Sequence, residues 1–276
     1  DLDMYKHQST TNTFNLLKSF GNTIIDSTSG ELASGLVGKG RMAEPEDIVA
    51  FIEQDIIDQL PLKGKHVLIT AGPTYEAIDP VRFIGNHSSG KMGFEIALAA
   101  ANLGATVSLV SGPTHLSINH SLIKLIDVVS AQDMYEATHA YFKTSDIVIC
   151  AAAVADYKPK FVAANKIKKN ESTLHLELEK TKDVLASLGD IKQHQFLVGF
   201  ALETNNEVEN AKSKLKRKNL DLIVLNSLND NGAGFKSETN KISLIFKDEN
   251  IKEFPLKSKT EVAKDILNEI IPFIHA

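Results

Sequence analysis

The sequence predicts a doubly wound α/β fold, Rossmann-like, with a mostly parallel central sheet and a small antiparallel extension. Three observations carry this reading. From Lys65 onward, short β-branched runs alternate with amphipathic helical segments. The runs are apolar on both faces, as buried parallel strands are. Two of them, "LITAGPT" and "LVSGPT", end on the same Gly-Pro-Thr. Such alternation builds a parallel sheet covered by helices on both sides.

Taken in order, residues 1–60 read differently from the rest. They hold a helix at "TTNTFNLLKSFG", a glycine-rich turn region, "SGELASGLVGKGRM", and a second helix at "EPEDIVAFIEQDI". Pro45 suits a first helical turn, and the neighbouring acids favour a helix N-terminus. "LPLKGK" punctuates the join, so two units are expected, 1–60 and 61–276. The second unit offers strands at "HVLITAG", "TVSLVSG", "DIVICAAA", "FLVGFAL" and "LDLIVLN". Helices are expected over Lys91–Leu103, Asp133–Thr144, Val184–Ile191 and Glu207–Asn219. "KISLIF" and "IKEFPL" read as a late antiparallel pair, and "KTEVAKDILNEIIPFI" as a closing helix. In such sheets the ligand crevice lies at the carboxyl ends of the strands.

Composition narrows the function classes. The 276 residues are 43% hydrophobic, enough for one large domain with an appendage. No apolar run approaches the ~18 residues that span a bilayer, and no segment reads as a signal peptide, so no membrane partner is expected. One cysteine, Cys150, excludes an internal disulfide and fits a reducing cytoplasm. A net charge of −5 argues against a general nucleic-acid binder. The chain opens on Asp1 rather than methionine and reads as a piece of a longer protein.

"IGNHSSGKMG" contains Gly85-x-x-x-x-Gly90-Lys91, a P-loop signature up to its last letter, where Met92 replaces Ser or Thr. A P-loop joins strand to helix directly, whereas "GPTYEAIDPVRFIG" separates this loop from the strand before it. The spacing Gly-x-Gly-x-x-Gly is also missing, which disfavours a nicotinamide-dependent reductase on the same fold. Asn86, His87, Ser88 and Ser89 before a helix that starts near Lys91 still collect donors, backbone N–H groups and a cation, a good anion site.

Lysines are the clearest chemical offer. Lys158, Lys160, Lys166, Lys168 and Lys169 fall between Tyr157 and Asn170 with no acid among them. Such a run is either a solvated loop or a cationic flap over a polyphosphate. In "VENAKSKLKRKNLD", Val208, Ala211 and Leu215 form the expected buried stripe, with Lys214 and Lys218 on one flank and Lys212 and Lys216 on the other. Periodicity does not choose between the pairs. Asp156 after an alanine-rich strand end is a turn acid or a ligand contact, and Phe200 alone reads as core.

The segment "VLITAGPTYEAIDPVRFIGNHSSGKMGFEIALAA" closely resembles phosphopantothenate–cysteine ligase, or phosphopantothenoylcysteine synthetase, of coenzyme A biosynthesis. The resemblance continues through "AAAVADYKPK", "KIKK", "GFALET" and "KNLDLIVLN", from about Lys63 to Pro272. In bacteria this ligase is usually the C-terminal half of a bifunctional protein whose N-terminal half is a flavin-dependent decarboxylase. Residues 1–60 resemble the tail of that decarboxylase: "DLDMYKH" matches its Pro-x-Met-Asn-x-x-Met motif, with Asp1 at the asparagine. "LASGLVGKGRMAEPEDIV" matches its substrate clamp, with Ser34 at the clamp cysteine. FMN belongs to the missing decarboxylase part, so decarboxylation by this chain alone is not expected.

The resemblance implies joining of 4′-phosphopantothenate to L-cysteine through an acyl-cytidylate made from CTP, with Mg²⁺ or Mn²⁺ on the phosphates and unidentified metal ligands. It implies nucleotide contacts at Cys150, Ala151, Ala152, Asp156, Lys166, Phe200, Lys214 and Lys218. Asp183 and Val184 follow less securely, because Lys182 stands where the family has proline. Asn86 and Lys166 are implied to be catalytic, Asn86 by orienting the acyl-cytidylate. Gly72, Arg82, Ser88, Ser89, Gly90 and Lys91 are implied, with Asn86, to bind the acid substrate. A homodimer in the cytoplasm is implied, with a larger oligomer for the full bifunctional protein. A non-enzymatic nucleotide-sensing module is the remaining rival, and it leaves the lysine flap and Asn86 without a purpose.

Overall fold

A computed structural model of the chain describes residues 2–32, 34–168, 173–203, 205–227 and 238–275. Asp1 and Lys169, singled out above, lie outside the described residues. The chain divides into two compact units, Asp1–Leu60 and Pro61–Ala276.

The first unit holds α1 (Leu2–Lys6), α2 (Gln8–Ser19), a hairpin of β1 (Thr28–Glu31) and β2 (Val37–Arg41), and α3 (Pro45–Asp58). The glycine-rich turn region is therefore a hairpin. Its connection closes through the Leu32 N–H to Leu36 O at 2.8 Å, and Gly35 takes the positive φ that the turn needs. Asp26 anchors this unit, accepting from Lys39 Nζ at 2.7 Å and from the Tyr5 hydroxyl. Those contacts hold its carboxyl down to about 2. Val49, Phe51, Ile52 and Ile56 on α3 remain exposed.

The second unit begins with β3 (His66–Ala71), a three-residue hairpin of β4 (Tyr75–Ala77) and β5 (Phe83–Gly85), and α4 (Lys91–Asn102). β6 (Thr106–Ser111), β7 (Ile123–Asp127), α5 (Ala131–Phe142) and β8 (Ile147–Cys150) follow. A second small hairpin, β9 (Tyr157–Pro159) with β10 (Leu178–Lys180), precedes α6 (Val184–Ile191) and β11 (Phe196–Glu203). The chain closes with α7 (Glu207–Arg217), β12 (Leu222–Ser227), the antiparallel β13 (Thr239–Phe246) and β14 (Ile251–Ser258), and α8 (Lys259–Ile274).

Among the described residues, eight strands form one sheet in the order β14-β13-β12-β11-β8-β3-β6-β7. β12, β11, β8, β3, β6 and β7 run parallel, and β13 and β14 supply the antiparallel extension. The chain winds outward from β3 in one direction through β6 and β7, then returns to β8 and winds the other way. That reversal sets a crevice at the carboxyl ends of β3 and β8.

Alternation along each strand sorts the core into two layers. Val67, Ile69, Val198 and Val224 face the layer that holds α4 and α8, with Ile96, Ile266 and Leu267. Leu68, Val148, Leu197 and Ile223 face the layer of α5, α6 and α7, with Met134, Leu188 and Leu215. Val208, expected in the buried stripe of α7, is exposed instead, and Ala211 and Leu215 alone carry that contact. β7 escaped the sequence reading because Lys124 and Asp127 interrupt its apolar run. It lies at the edge of the sheet, where only half of its residues need cover.

The repeated Gly-Pro-Thr has a packing cause. β3 and β6 are neighbours, and their two terminal turns touch: the Gly112 N–H donates to Ala71 O at 2.9 Å. A Cβ on Gly112 would lie 1.6 Å from Pro73 O. We predict that Gly112→Ala forces these strand ends apart and costs about 2 kcal/mol or more, measurable as a fall in the urea midpoint.

Candidate functional site

Two cavities open at the carboxyl edge of the sheet. The first, about 480 Å³, is lined by Thr70 of β3, Cys150 and Ala152 at the end of β8, and Phe200 of β11. Asp156 borders it from the loop after β8, Asp183 and Val184 from the start of α6, and Lys214 and Lys218 from α7. The second, about 240 Å³, is lined by Asn86, Ser88, Ser89, Gly90 and Lys91 around the start of α4, with Ala151. Ala152, Val154 and Phe200 border both cavities and form the partition between them.

The first cavity is cationic, and its lysines are held. Lys218 caps the C-terminal end of α7 and reaches Asp183 at 2.7 and 2.9 Å. Asp183 in turn caps α6 by accepting from the Ala186 N–H at 3.0 Å. Burial pushes the Asp183 carboxyl up, but Lys218, the Ala186 N–H and Lys214 outweigh it and hold the group below the usual carboxylate range. Lys214 Nζ donates to Phe200 O at 2.7 Å. Asn219, in the left-handed region at φ 51°, ties the end of α7 to α6 by donating to Gly189 O at 3.0 Å. Lys192 Nζ donates to Asn219 O at 3.1 Å from the same side.

The structure separates the two lysine flanks of α7 that periodicity left open. Lys212 and Lys216 both turn to Glu249, at 3.5 and 2.5 Å, away from the cavity. Cys150 is partly buried, and desolvation pushes its thiol up to about 12, which makes it an apolar wall rather than a nucleophile.

The second cavity sits on the N-terminus of α4. Gly90 occupies the N-cap position at φ 78° and brings no side chain to it, and of the first-turn N–H groups that of Lys91 donates to Ser89 Oγ at 3.4 Å. A Cβ there would stand 3.3 Å from the Gly72 backbone. Gly72 is thus the floor beneath Gly90 rather than a lining residue. Asn86 stands at the partition, where Nδ2 donates to Val154 O at 2.9 Å and to Ala153 O at 3.3 Å. Only the NH₂ side of an amide can serve two carbonyls, so Oδ1 faces away from them. The donor side of Asn86 is thus spent on backbone.

Several expected residues lie elsewhere. Lys166 lines neither cavity of its own chain. Its neighbour Ile167 is tied to the β4–β5 hairpin: the Ile167 N–H donates to Asp79 Oδ2 at 3.1 Å, and Arg82 donates to Ile167 O at 3.3 Å. Arg82 also pairs with buried Asp79 at 2.6 Å and lines neither cavity. Of the five-lysine run, Lys158 and Lys160 pair across β9–β10 and its flank with Glu179 and Glu177, at 3.3 and 2.6 Å. Two lysines of the run are thus paired with acids on or beside the facing strand.

Other lining residues were not anticipated. Tyr157, Lys180, Thr181 and Lys182 join the first cavity, and Lys182 Nζ stands 4.6 Å from the ring centroid of Tyr135. Asn226, Asn240 and Lys259 join the second. Lys259 carried a legible signal, because a cation in the first turn of a helix opposes the dipole there.

Comparison with known proteins gives a consistent family. Residues 62–273 match the model of the DNA/pantothenate metabolism flavoprotein C-terminal domain. The chain is 48% identical over 272 residues to the coenzyme A biosynthesis bifunctional protein CoaBC of Bacillus subtilis, covering 98% of this chain and 67% of that protein. It is 53% identical over 280 residues to a cysteine/cysteine sulfinic acid decarboxylase of an unknown prokaryotic organism, covering 100% of this chain and 78% of that protein. A crystal structure of the C-terminal domain of CoaBC superposes with a TM-score of 0.67 at 45% identity, covering 79% of this chain and 99% of the other.

The geometry of the first cavity makes a prediction that does not depend on the nucleotide base. Lys214→Gln and Lys218→Gln should each weaken binding of inorganic triphosphate by about tenfold or more, the worth of one charge-assisted hydrogen bond. Lys212→Gln should leave it unchanged. Isothermal titration calorimetry on the three variants checks this.

Proposed function

The chain belongs to the DNA/pantothenate metabolism flavoprotein C-terminal domain family, and on that footing we propose that it is the phosphopantothenate–cysteine ligase part of coenzyme A biosynthesis. The observation that carries the reading is the pair of cavities joined at Ala152, Val154 and Phe200, one rich in lysines and one built on a helix N-terminus. A reaction that couples a triphosphate to an acid needs two anion sites with a shared wall. The decarboxylase named for the other relative gains no comparable support from this edge of the sheet.

In this reading CTP occupies the first cavity, with Lys214 and Lys218 on its phosphates, Asp183 and Val184 at the start of α6, and Asp156 near the mouth. A carboxylate oxygen of 4′-phosphopantothenate attacks the α-phosphorus, forming a P–O bond and expelling pyrophosphate. The L-cysteine amine then attacks the acyl carbon. A C–N bond forms, the acyl C–O bond breaks, CMP leaves with the electron pair, and the amine loses a proton. Lysine charge directed at the leaving phosphates stabilises the first step.

The residues fit a magnesium ion that rides on the nucleotide. Among the described residues no group of three or more His, Cys, Asp or Glu could cage a metal. Of the two carboxylates lining the first cavity, Asp183 is engaged by Lys218, so Asp156 is the one that would touch the ion. Magnesium would supply charge neutralisation on the phosphates.

Asn86 takes a modified role. With its NH₂ group directed at Ala153 O and Val154 O, it offers Oδ1 to the reacting centre. An acceptor suits the N–H of the attacking amine better than the acyl oxygen. Lys166 and Arg82, outside both cavities of their own chain, act on the site of a second subunit in a homodimer. Residues 1–60, with their exposed apolar side chains on α3, are the tail of a flavin-dependent decarboxylase, and FMN has no role in the ligase reaction.

The direct test is incubation with 4′-phosphopantothenate, Mg²⁺ and each nucleoside triphosphate in turn. Pyrophosphate should appear with CTP, and amide product once cysteine is added. Asn86→Asp places a carboxylate against two backbone carbonyls and displaces the acceptor. It should release pyrophosphate while acyl-cytidylate accumulates and amide falls, and normal turnover would remove Asn86 from this role. Subunit mixing tests the dimer. Lys166→Gln and Lys218→Gln proteins, each inactive alone, should recover about a quarter of the wild-type rate when mixed, because half the random dimers keep one intact site. No recovery would return Lys166 to its own subunit.

A further inference from the structure

Two buried carboxylates support the β4–β5 hairpin and the lysine run that rests on it. Glu76 of β4 is 4% exposed and accepts from the Ala131 N–H, at the start of α5, at 2.8 Å. The Tyr75 N–H donates to Val129 O at 2.8 Å, and the rings of Tyr75 and Phe83 stack with centroids 3.9 Å apart. The hairpin is thus tied to the segment that enters α5.

Asp79, in the turn of the hairpin, is 2% exposed and does two separate jobs. Its Oδ1 accepts from the Val81 N–H at 2.8 Å and the Arg82 N–H at 2.9 Å, which closes the turn locally. Its Oδ2 accepts from Arg82 Nη1 at 2.6 Å and from the Ile167 N–H at 3.1 Å, 88 residues along the chain. A turn needs only the first pair. Burial pushes the Asp79 carboxyl up, but the N–H groups of Val81, Ile167 and Arg82 outweigh it and hold the group below the usual carboxylate range.

The long-range contacts bracket Lys166. The Ala163 N–H donates to Ile78 O at 3.0 Å, and Arg82 Nη1 and Nη2 both donate to Ile167 O at 3.3 Å. The backbone is therefore pinned on both sides of Lys166, to a turn that is itself anchored. Ile167 is half-buried at the tie, while Lys166 and Lys168 beside it are exposed. A cation presented from a fixed base loses less freedom when it engages an anion.

We propose that Asp79 is a positioning residue for the polyphosphate, acting through Lys166: its Oδ2 holds residues 163–167 on the hairpin and fixes the base from which the lysine reaches. Arg82 is the bridge of this clamp, shared between Asp79 and Ile167 O. The assignment rests on the ligase reading and deepens it, because it gives the buried turn acid a part in gripping the nucleotide.

The experiment is a double-mutant cycle on Asp79→Asn and Lys166→Gln, read as binding of inorganic triphosphate by calorimetry. Asparagine keeps one acceptor oxygen, which chain connectivity leaves with the turn, and turns an NH₂ group toward the Ile167 N–H and Arg82. Lys166→Gln should weaken binding by about tenfold and Asp79→Asn by about fivefold. The double variant should lose no more than Lys166→Gln alone, whereas independent effects would multiply to about fiftyfold. Hydrogen exchange should quicken in residues 160–168 of Asp79→Asn and stay slow in residues 74–85. Multiplying losses, unchanged exchange at 160–168, or full binding by Lys166→Gln overturns the proposal. Ile167→Pro removes the same hydrogen bond from the other side; it should give the same loss, and it replaces Asp79→Asn should that variant not fold. Because the ligand is triphosphate alone, failure of the wild type to release pyrophosphate from CTP would end the ligase reading without touching this cycle.

Discussion

Bringing ammonium groups together in a cleft costs desolvation and mutual repulsion, and the whole carboxyl edge of this sheet is organised around offsetting that cost. Three of the cations facing the cavities have stand-in partners. Lys218 rests on Asp183, Lys214 on the Phe200 carbonyl, and Lys91 on Glu238. These contacts keep the side chains ordered near where a polyphosphate would need them. They are also contacts that an anionic ligand can replace, because phosphate oxygens compete well with a carboxylate or a peptide carbonyl for an ammonium. The lysines that take no part, Lys212 and Lys216, share Glu249 on the opposite side of the helix.

That arrangement depends on backbone segments meeting without side chains between them. β3 and β6 end in turns that touch through Gly72 and Gly112, and Gly90 sits directly above Gly72. The result lowers the N-terminus of α4 onto the strand ends, so that helix amides and strand carbonyls border one space. Asn86 links the two by donating to Ala153 and Val154 carbonyls. The partition between the cavities is therefore mostly main chain, with Phe200 as its apolar face.

Much of this was legible beforehand. The five long parallel strands, the helices between them and the late antiparallel pair all follow from unbroken apolar runs and amphipathic spacing. α6 and α8 were bounded correctly because each starts on a side-chain cap, Asp183 and Ser258. What escaped was decided by long-range partners. β7 needs only one neighbour and half a core. The glycine-rich leader segment pairs with itself across a turn. The five-lysine run looked uncompensated because Glu177 and Glu179 are supplied by the far side of the β9–β10 region. At the site, the family resemblance picked Lys214 and Lys218, which helical periodicity alone could not separate from Lys212 and Lys216. Lys259 and Asn240 lie more than 140 residues beyond Lys91, and only the packing of α8 on α4 brings them to the same cavity.

The shielding of Cys150 has a consequence for redox chemistry. It is the chain's single sulfhydryl, and it stands in the wall of a cleft beside which, in the proposed reaction, a free aminothiol is consumed. Desolvation pushes this thiol well above its ordinary range, which disfavours the thiolate that exchange with cystine or with mixed disulfides of the substrate requires. Oxidation that depletes reduced cysteine would then starve the protein without capping it, and turnover would resume as soon as the reduced amino acid returned.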